Sequence, residues 1–294
     1  MKQKFRGIGA LLLATLIWGS TFVAQSAGMD LIGPFTFQAV RCFLAVLVLV
    51  PATLFFERKD LGNFIARWKD PQLWKAGLLC GGALFIAAGL QQVGLVYTDA
   101  GKAGFITALY IVIVPLIAIF LGRKPTVLTV ISIVIAVAGM YLLCCAGASG
   151  IQLGDVLLLL CAFAFAVQIT LIDRYVDKVD SLRLNCIQAL VTAVLSGLFM
   201  PFETVDMGLI LQCWLPICYA GIGSMGIAYT LQIVGQRHLD PTPASLLMSL
   251  ESVFAVVFGA LLLNETMTFW EACGCVLVFS AVILSQIPTK RTAC

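Results

Sequence analysis

Long apolar stretches separated by short polar connections run along the whole chain. Each stretch is roughly 18–25 residues long, enough for a helix to cross a hydrocarbon core of about 30 Å. The pattern therefore predicts ten transmembrane helices. Their predicted bounds are Gly7–Ala27, Gly33–Phe56, Leu73–Val96, Ala100–Leu121, Val127–Cys145, Gly154–Ile172, Ser181–Pro201, Ile210–Gln236, Pro241–Leu263 and Phe269–Ile287. The charged segment Glu57–Trp74, which contains tryptophans, predicts a short helix at the membrane surface.

The ninth span places one acid, Glu251, about ten residues and so roughly 15 Å inside an apolar helix. Small and polar residues share one face of this helix, and bulky apolar residues share the other. The first face comprises Ala244, Ser245, Met248, Ser249, Glu251, Ser252, Ala255 and Gly259, and the second comprises Leu246, Leu250, Val253, Phe254, Val257 and Leu261. We expect the small face to contact protein or water and the bulky face to contact lipid.

The fourth span repeats the pattern of the ninth span 141 positions earlier in the chain. Ala108 corresponds to Ser249, and Tyr110 falls at the position of Glu251. The order of small residues is kept without gaps, although few residues are identical. The match indicates an internal duplication.

The duplication divides the chain into two units of five spans, residues 1–148 and 149–294. Because five is an odd number, the second unit must enter the membrane from the opposite side. Inverted repeats of this kind build two halves that open alternately around one central site in many carriers. We therefore predict an all-α integral membrane protein made of two inverted repeats in one bundle.

Composition agrees with a membrane protein and narrows the possible partners. Hydrophobic residues make up 61% of the 294 residues and charged residues only 11%, far from the values of soluble domains. The 11 cysteines mostly lie inside apolar runs and lack metal-ligand spacing, which is typical of small apolar packing residues. We expect no metal, no cofactor and no nucleic acid. The expected partners are a small-molecule substrate, the lipid bilayer and a coupling ion such as H⁺.

The distribution of basic residues orients the chain. Of the 18 Lys and Arg residues, 16 lie at the two termini or in alternate loops. The opposite loops contain only Lys102, and Arg41 lies inside the second span. By the positive-inside rule, both termini are cytoplasmic in a multi-pass protein of the plasma or inner membrane.

Three stretches of sequence are distinctive. They are Ala-Thr-Leu-Ile-Trp-Gly-Ser-Thr-Phe at Ala14–Phe22, the dipeptide Gly154-Asp155, and the stretch from Pro243-Ala-Ser-Leu-Leu to Leu263-Asn-Glu265. These stretches resemble the drug/metabolite transporter superfamily, specifically its EamA-type members, and the resemblance extends over essentially the whole chain. It implies ten helices in inverted repeats and the movement of small metabolites, often amino acids or drug-like compounds and frequently outward.

Polar residues inside the spans are the candidates for a substrate site, because an unpaired polar group is expensive in a bilayer. The candidates are Trp18, Arg41, Gln91, Tyr110, Gln232, Ser245, Ser249, Glu251 and Ser252. Arg41 either binds an anionic substrate, pairs with Glu251 or serves a structural role at the helix end. Trp18 is either interfacial packing or a stacking platform. The glutamines either join helices or line the cavity.

Glu251 is the predicted functional centre. A carboxylate near the middle of the membrane must be paired, hydrated or protonated. We expect it to bind the amine of the substrate or to couple transport to protons, with Tyr110 across the cavity. The alternative is a structural pair with Arg41.

Two other functions compete with transport. An intramembrane enzyme needs a nucleophile with its base or a metal cluster, whereas this chain has one histidine, His238, near a loop. A channel would show rings of charge or a carbonyl filter, and a Gly-x-x-x-x-Gly-Lys-Ser/Thr loop for ATP is absent from the sequence. We therefore predict a secondary transporter that exports amino acids or similar polar or amphipathic compounds by alternating access through a central cavity.

Overall fold

The computed structural model describes residues 2–58, 61–98, 100–123, 125–144, 152–262 and 268–287. These ranges are almost entirely helical and contain no strand, so the predicted all-α membrane fold is confirmed. Eight helical stretches in them are long and apolar enough to cross a membrane. Two shorter apolar helices, Val127–Leu142 and Ala272–Gln286, lie at the predicted fifth and tenth spans. The count of ten crossing helices therefore stays a prediction.

The helices are numbered in chain order. The first half contains α1 (Lys2–Met29), α2 (Pro34–Phe56), α3 (Phe64–Trp68), α4 (Pro71–Leu95), α5 (Ala100–Ala108), α6 (Tyr110–Phe120) and α7 (Val127–Cys144). The second half contains α8 (Leu153–Tyr175), α9 (Ser181–Phe199), α10 (Met207–Gln212), α11 (Trp214–Cys218), α12 (Tyr229–Gln236), α13 (Pro241–Met248), α14 (Leu250–Leu262) and α15 (Phe269–Gln286). Single 3₁₀ turns cover Leu61–Asn63 and Met200–Phe202, and a π-helical stretch, Tyr219–Ala228, joins α11 to α12.

Acidic side chains mark where several helices begin. Asp70 accepts a hydrogen bond from the backbone N–H of Gln72 at the start of α4, and Asp180 caps the start of α9 in the same way. Such caps satisfy N–H groups that have no partner inside the helix. Glu203 does this from a distant part of the chain, because its carboxylate accepts the backbone N–H of Thr36 at the start of α2 at 2.8 Å.

The two halves pack against each other along their whole length. Helix α1 packs along α14, α2 along α9, α4 along both α8 and α9, and α7 along α15. One pattern of contacts between the halves occurs twice. Helix α1 contacts α13 and α14 of the second half, and α8 contacts α5 and α6 of the first half. The fourth and ninth spans also contact each other, through α6 with α13 and α5 with α14.

Small residues allow the closest of these contacts. A Cβ atom added at Gly81 in α4 would lie 2.7 Å from the Cβ of Val191 in α9. One added at Gly139 in α7 would lie 2.7 Å from the Cβ of Leu277 in α15. Backbones in a membrane approach this closely only where side chains are absent or small.

The bulky face of the ninth span is exposed only in part. Leu246, Leu250 and Val253 are at most 1% exposed, whereas Phe254 and Val257 are half-buried and Leu261 is 69% exposed. The expectation fails for the buried part of this face because α13 and α14 have neighbours on several sides, including α1, α6 and α15. An apolar face is equally suited to lipid and to other helices, so the sequence pattern does not separate the two.

Both the fourth and the ninth spans are interrupted near their middle, at Leu109 and at Ser249. At these breaks Leu109 and Ser252 each donate their backbone N–H to the carbonyl three residues earlier, at 3.2 Å. Such tight turns leave the regular α-helical hydrogen-bond pattern. Tyr110 and Glu251 therefore lie directly beside helix interruptions.

Candidate functional site

A cavity lies among the helices, and together with the space where it opens to solvent it contains about 480 Å³ not filled by protein atoms. Aromatic rings, amides, one acid and one base form its wall. The lining residues are Trp18, Phe22, Gln25, Arg41, Gln91, Tyr110, Phe165, Ile169, Ser224, Tyr229, Gln232, Met248 and Glu251. Because they come from both halves of the chain, the cavity is shared between the halves.

Four pairs of lining residues are separated by one of two fixed distances along the chain. The pairs are Trp18 with Phe165, Phe22 with Ile169, Gln91 with Gln232, and Tyr110 with Glu251. The first two pairs are 147 positions apart, and the last two are 141 positions apart. Only the last pair combines a neutral group with an acid. The charge of the cavity is therefore asymmetric even though its wall is built from matching positions.

The acid of the cavity is bonded to its counterpart from the other half. The Tyr110 hydroxyl donates a hydrogen bond to Oε1 of Glu251 at 3.0 Å. Both residues are buried, at 3% and 6% exposure. The phenol is neutral and does not compensate a negative charge, so an ionised Glu251 would still need a cation or water.

Arg41 is the basic residue of the cavity. Its Nη1 donates to Oε1 of Gln25 at 2.6 Å, and its guanidinium lies 5.5 Å from the centre of the Phe37 ring. Among the described residues no ion pair joins Arg41 to Glu251. The structural pair considered as an alternative for Glu251 is therefore not found.

Trp18 faces the cavity. Its ring packs edge-to-face on Tyr229, with ring centres 5.0 Å apart and an interplanar angle of 63°. The buried indole Nε1 has no hydrogen-bond partner among the described residues. Of the two interpretations of Trp18, the geometry favours the cavity platform.

The glutamines divide between the two roles expected for them. Gln91 and Gln232 line the cavity, and Gln91 also donates weakly to the Thr107 hydroxyl at 3.4 Å. Gln232 donates to Gln168 at 3.2 Å, and Gln168 in turn approaches Gln188 at 3.5 Å. The last two amides therefore link helices behind the cavity wall.

The three serine candidates do not reach the cavity wall. Ser245, Ser249 and Ser252 are at most 1% exposed. Each hydroxyl donates to the backbone carbonyl three residues earlier at 2.8 Å. In apolar surroundings a hydroxyl is readily satisfied by its own helix, so these serines serve close packing in this structure, and their place in a substrate site stays a prediction.

Seven lining residues were missed by the sequence interpretation. They are Phe22, Gln25, Phe165, Ile169, Ser224, Tyr229 and Met248. Gln25 could have been found, because it is an amide at the end of an apolar span like the other glutamines. Phe165 lies 147 positions after Trp18, a separation that the 141-residue match of the fourth and ninth spans does not give. Ser224 lies in the π-helical stretch, which no pattern in the sequence indicates.

Two clusters of charge outside the cavity also join the halves. Lys102 forms an ion pair with Asp155 at 2.7 Å. Glu57 accepts hydrogen bonds from both terminal nitrogens of the buried Arg183 and pairs with Arg67 at 3.2 Å. The hydrogen bonds from Arg183 lower the pKa of Glu57 from its ordinary value of 4.5.

The apolar helices define a multi-span membrane protein whose two halves share a polar cavity. A sequence profile of the EamA-like transporter family matches residues 5–145 and 152–286. The chain therefore belongs to the EamA-like transporter family, within the drug/metabolite transporter superfamily. It is a membrane transporter and not an enzyme.

Similar proteins agree with this assignment. An "Uncharacterized transporter" of Archaeoglobus fulgidus is 32% identical over 288 residues, which cover 98% of this chain and 87% of the relative. "WAT1-related protein At3g02690, chloroplastic" of Arabidopsis thaliana is 25% identical over 95% of this chain and 69% of the relative. A solved structure titled "Crystal structure of protein" has a TM-score of 0.79 at 22% identity and covers 95% of this chain and 96% of that one. That likeness supports the fold.

Proposed function

We propose that the protein is a secondary transporter that exports small polar or amphipathic metabolites, such as amino acids, by alternating access through the central cavity. The cavity supports this proposal, because its wall combines aromatic surface with one acid, one base and three amides contributed by both halves. Polar groups that converge in an otherwise apolar pocket are typical of sites for small molecules.

Glu251 is the proposed functional centre, and the hydrogen bond with Tyr110 carries this part of the proposal. The carboxylate is buried in the cavity and its observed partner is a neutral phenol. A buried carboxylate in this situation binds a cation or a proton. Glu251 therefore holds the amine of the substrate or accepts the proton that drives transport.

We propose that the protein lies in the plasma or inner membrane. Both of its termini then lie in the cytoplasm. The strong excess of Lys and Arg in alternate loops supports this orientation. We further propose that residues 1–148 and 149–294 are two inverted repeats of five spans each. The two family matches and the recurring helix contacts are in keeping with this division.

Alternating access needs elements that bend and contacts that break. The interruptions at Leu109 and Ser249 supply bending points beside the site, as discontinuous helices do in other carriers. The ion pairs Lys102–Asp155 and Glu57–Arg183 each join the halves. Because successive spans alternate in direction, these pairs lie at opposite ends of the bundle, so each closes one entrance.

The nearly isosteric substitution Glu251→Gln tests the role of the acid. The variant should express and melt like the wild type yet lose counterflow of labelled amino acids in reconstituted vesicles, or lose its pH dependence. Asp30→Asn is the matched control, because Asp30 is an exposed acid outside the cavity, and it should transport normally.

The same vesicles separate the competing functions. Exchange that an excess of unlabelled substrate on the opposite side accelerates indicates a carrier, whereas a channel gives unsaturable flux without this acceleration. Wild-type rates for Glu251→Gln at every pH would refute the proposed role of Glu251.

A further inference from the structure

Arg41 is a buried cation without an anionic partner in the described structure. It is 5% exposed, one guanidinium nitrogen is bonded to the neutral amide of Gln25, and one face of the group lies over Phe37. The Cys42 thiol also faces it, but a neutral thiol is only a weak acceptor. A charge buried in this way is costly unless an anion joins it.

The bond to Gln25 fixes which part of the guanidinium remains available. Gln25 occupies Nη1, while Nε is buried and has no hydrogen-bond partner among the described residues. The indole Nε1 of Trp18 is a second buried donor without a partner. Both residues line the same cavity, so two residues of its wall carry an unused donor, one of them on a cation.

The chemistry of these donors selects the ligand. Guanidinium N–H groups match the planar pair of oxygens in a carboxylate, and hydrogen bonds to such an ion are the strong ones. The indole N–H only donates, so it favours the same acceptor. The acid of the cavity, Glu251, is bonded elsewhere, to Tyr110.

We propose that Arg41 and Trp18 form a carboxylate subsite in the cavity, with Gln25 as the residue that positions the guanidinium. The proposal rests on the proposed transport function and deepens it, because it names the group that every good substrate shares. A substrate with a carboxylate at Arg41 and an amine at Glu251 is a zwitterion. Its two charges would neutralise the two charges of the wall.

Binding to the purified full-length protein tests this subsite with probes that share a side chain and differ in which charged group they carry. The probes are phenylalanine, phenethylamine, which lacks the carboxylate, 3-phenylpropanoate, which lacks the amine, and the same series built on leucine. A ligand that binds the folded protein raises its melting temperature. Carboxylate-bearing probes should stabilise the wild type more than the amines do.

Variants then assign the effect to the two donors. Arg41→Gln should weaken the binding of the carboxylate-bearing probes by at least about tenfold, as expected for a lost hydrogen bond to a charged group. Trp18→Phe keeps an aromatic ring packed against Tyr229 but removes the N–H donor. It should weaken the binding of the same probes by about tenfold. Binding of phenethylamine should change by less than about twofold in both variants. Arg41→Lys keeps the positive charge but loses the planar pair of N–H donors. Its affinity for the carboxylate-bearing probes should lie between those of the wild type and Arg41→Gln.

A second measurement does not depend on the choice of probe. Without ligand, Arg41→Gln should melt at the same temperature as the wild type or higher, because it removes an uncompensated buried charge. A structural arginine gives the opposite result. A clearly lower melting temperature would therefore overturn the subsite.

The remaining outcomes separate this proposal from the transport function. If amines bind as well as amino acids, or are transported in vesicles while no carboxylate is, the subsite is wrong and the carrier stands. A further outcome is that chloride stabilises the wild type but not Arg41→Gln, while the organic carboxylates have no effect. That result would make an inorganic anion the occupant and would also overturn the carboxylate subsite. If no compound crosses the vesicle membrane, the transport function itself fails.

Discussion

The contact between Glu57 and Arg183 should be a major contributor to stability outside the cavity. Arg183 is 1% exposed, and both its terminal nitrogens donate to the Glu57 carboxylate, whose side chain is 16% exposed. Replacing Glu57 by Gln leaves the cation buried without this anion. Loss of one partner of a buried pair costs roughly 3–5 kcal/mol. Asp180 remains 3.7 Å away but is 47% exposed, so it compensates little.

We therefore expect Glu57→Gln to lose about 3 kcal/mol at neutral pH, near the lower end of that range because Glu57 reaches solvent. For a chain of this size the loss corresponds to a fall in melting temperature of roughly 6–12 °C. Thermal unfolding of the purified protein in detergent measures it directly. The double variant Glu57→Gln with Arg183→Leu should recover part of the loss, because it removes the stranded charge as well.

The dependence on pH gives an independent check of this reasoning. The pKa of Glu57 is lower in the folded protein than its ordinary value of 4.5 because Arg183 donates hydrogen bonds to it. The stabilisation is therefore complete above pH 4.5 and is lost as the pH falls through the lowered pKa. The difference in melting temperature between the wild type and Glu57→Gln should become smaller over that acidic range. A variant that melts within about 2 °C of the wild type at pH 7 would contradict the assigned magnitude.

Two further predictions concern the cavity and the orientation of the chain. Tyr110→Phe removes the donor to Glu251 with little change in volume, and should lower vesicle transport by about tenfold at unchanged expression; an unchanged rate would show that the bond is dispensable. A cysteine introduced at the exposed Arg174 should react with a membrane-impermeant maleimide in inverted vesicles and not in intact cells, and the reverse labelling would overturn the proposed orientation.

Much of the architecture could be predicted because the membrane imposes strong rules. Span lengths follow from the thickness of the bilayer, and the separation of 141 residues related Tyr110 to Glu251 before any contact between them was known. The structure then places their side chains 3.0 Å apart. Polar residues in apolar spans predicted cavity-lining positions where they carry a charge or a long amide side chain, as at Arg41 and Gln232.

The sequence failed where different surroundings have the same chemical preference. Ser249 is equally suited to a cavity wall and to a bond with its own backbone, and the second is observed. Leu250 is equally suited to lipid and to a helix contact, and it is buried. The π-helical stretch depends on packing, since a Cβ added at Gly221 would lie 2.8 Å from the carbonyl of Arg41. No periodicity in the sequence records such an approach.

The meeting of Tyr110 with Glu251 constrains how such a protein could be assembled from smaller chains. If the halves are inverted repeats, as proposed, a homodimer of either five-span half would place two identical side chains at this position. Two carboxylates so close could not both ionise, and two phenols would leave the cavity without an acid. One gene that encodes both halves lets the two positions diverge, so that a single titratable acid faces a neutral donor. In the proposed function, this single acid is the group that holds one proton or one amine at the site.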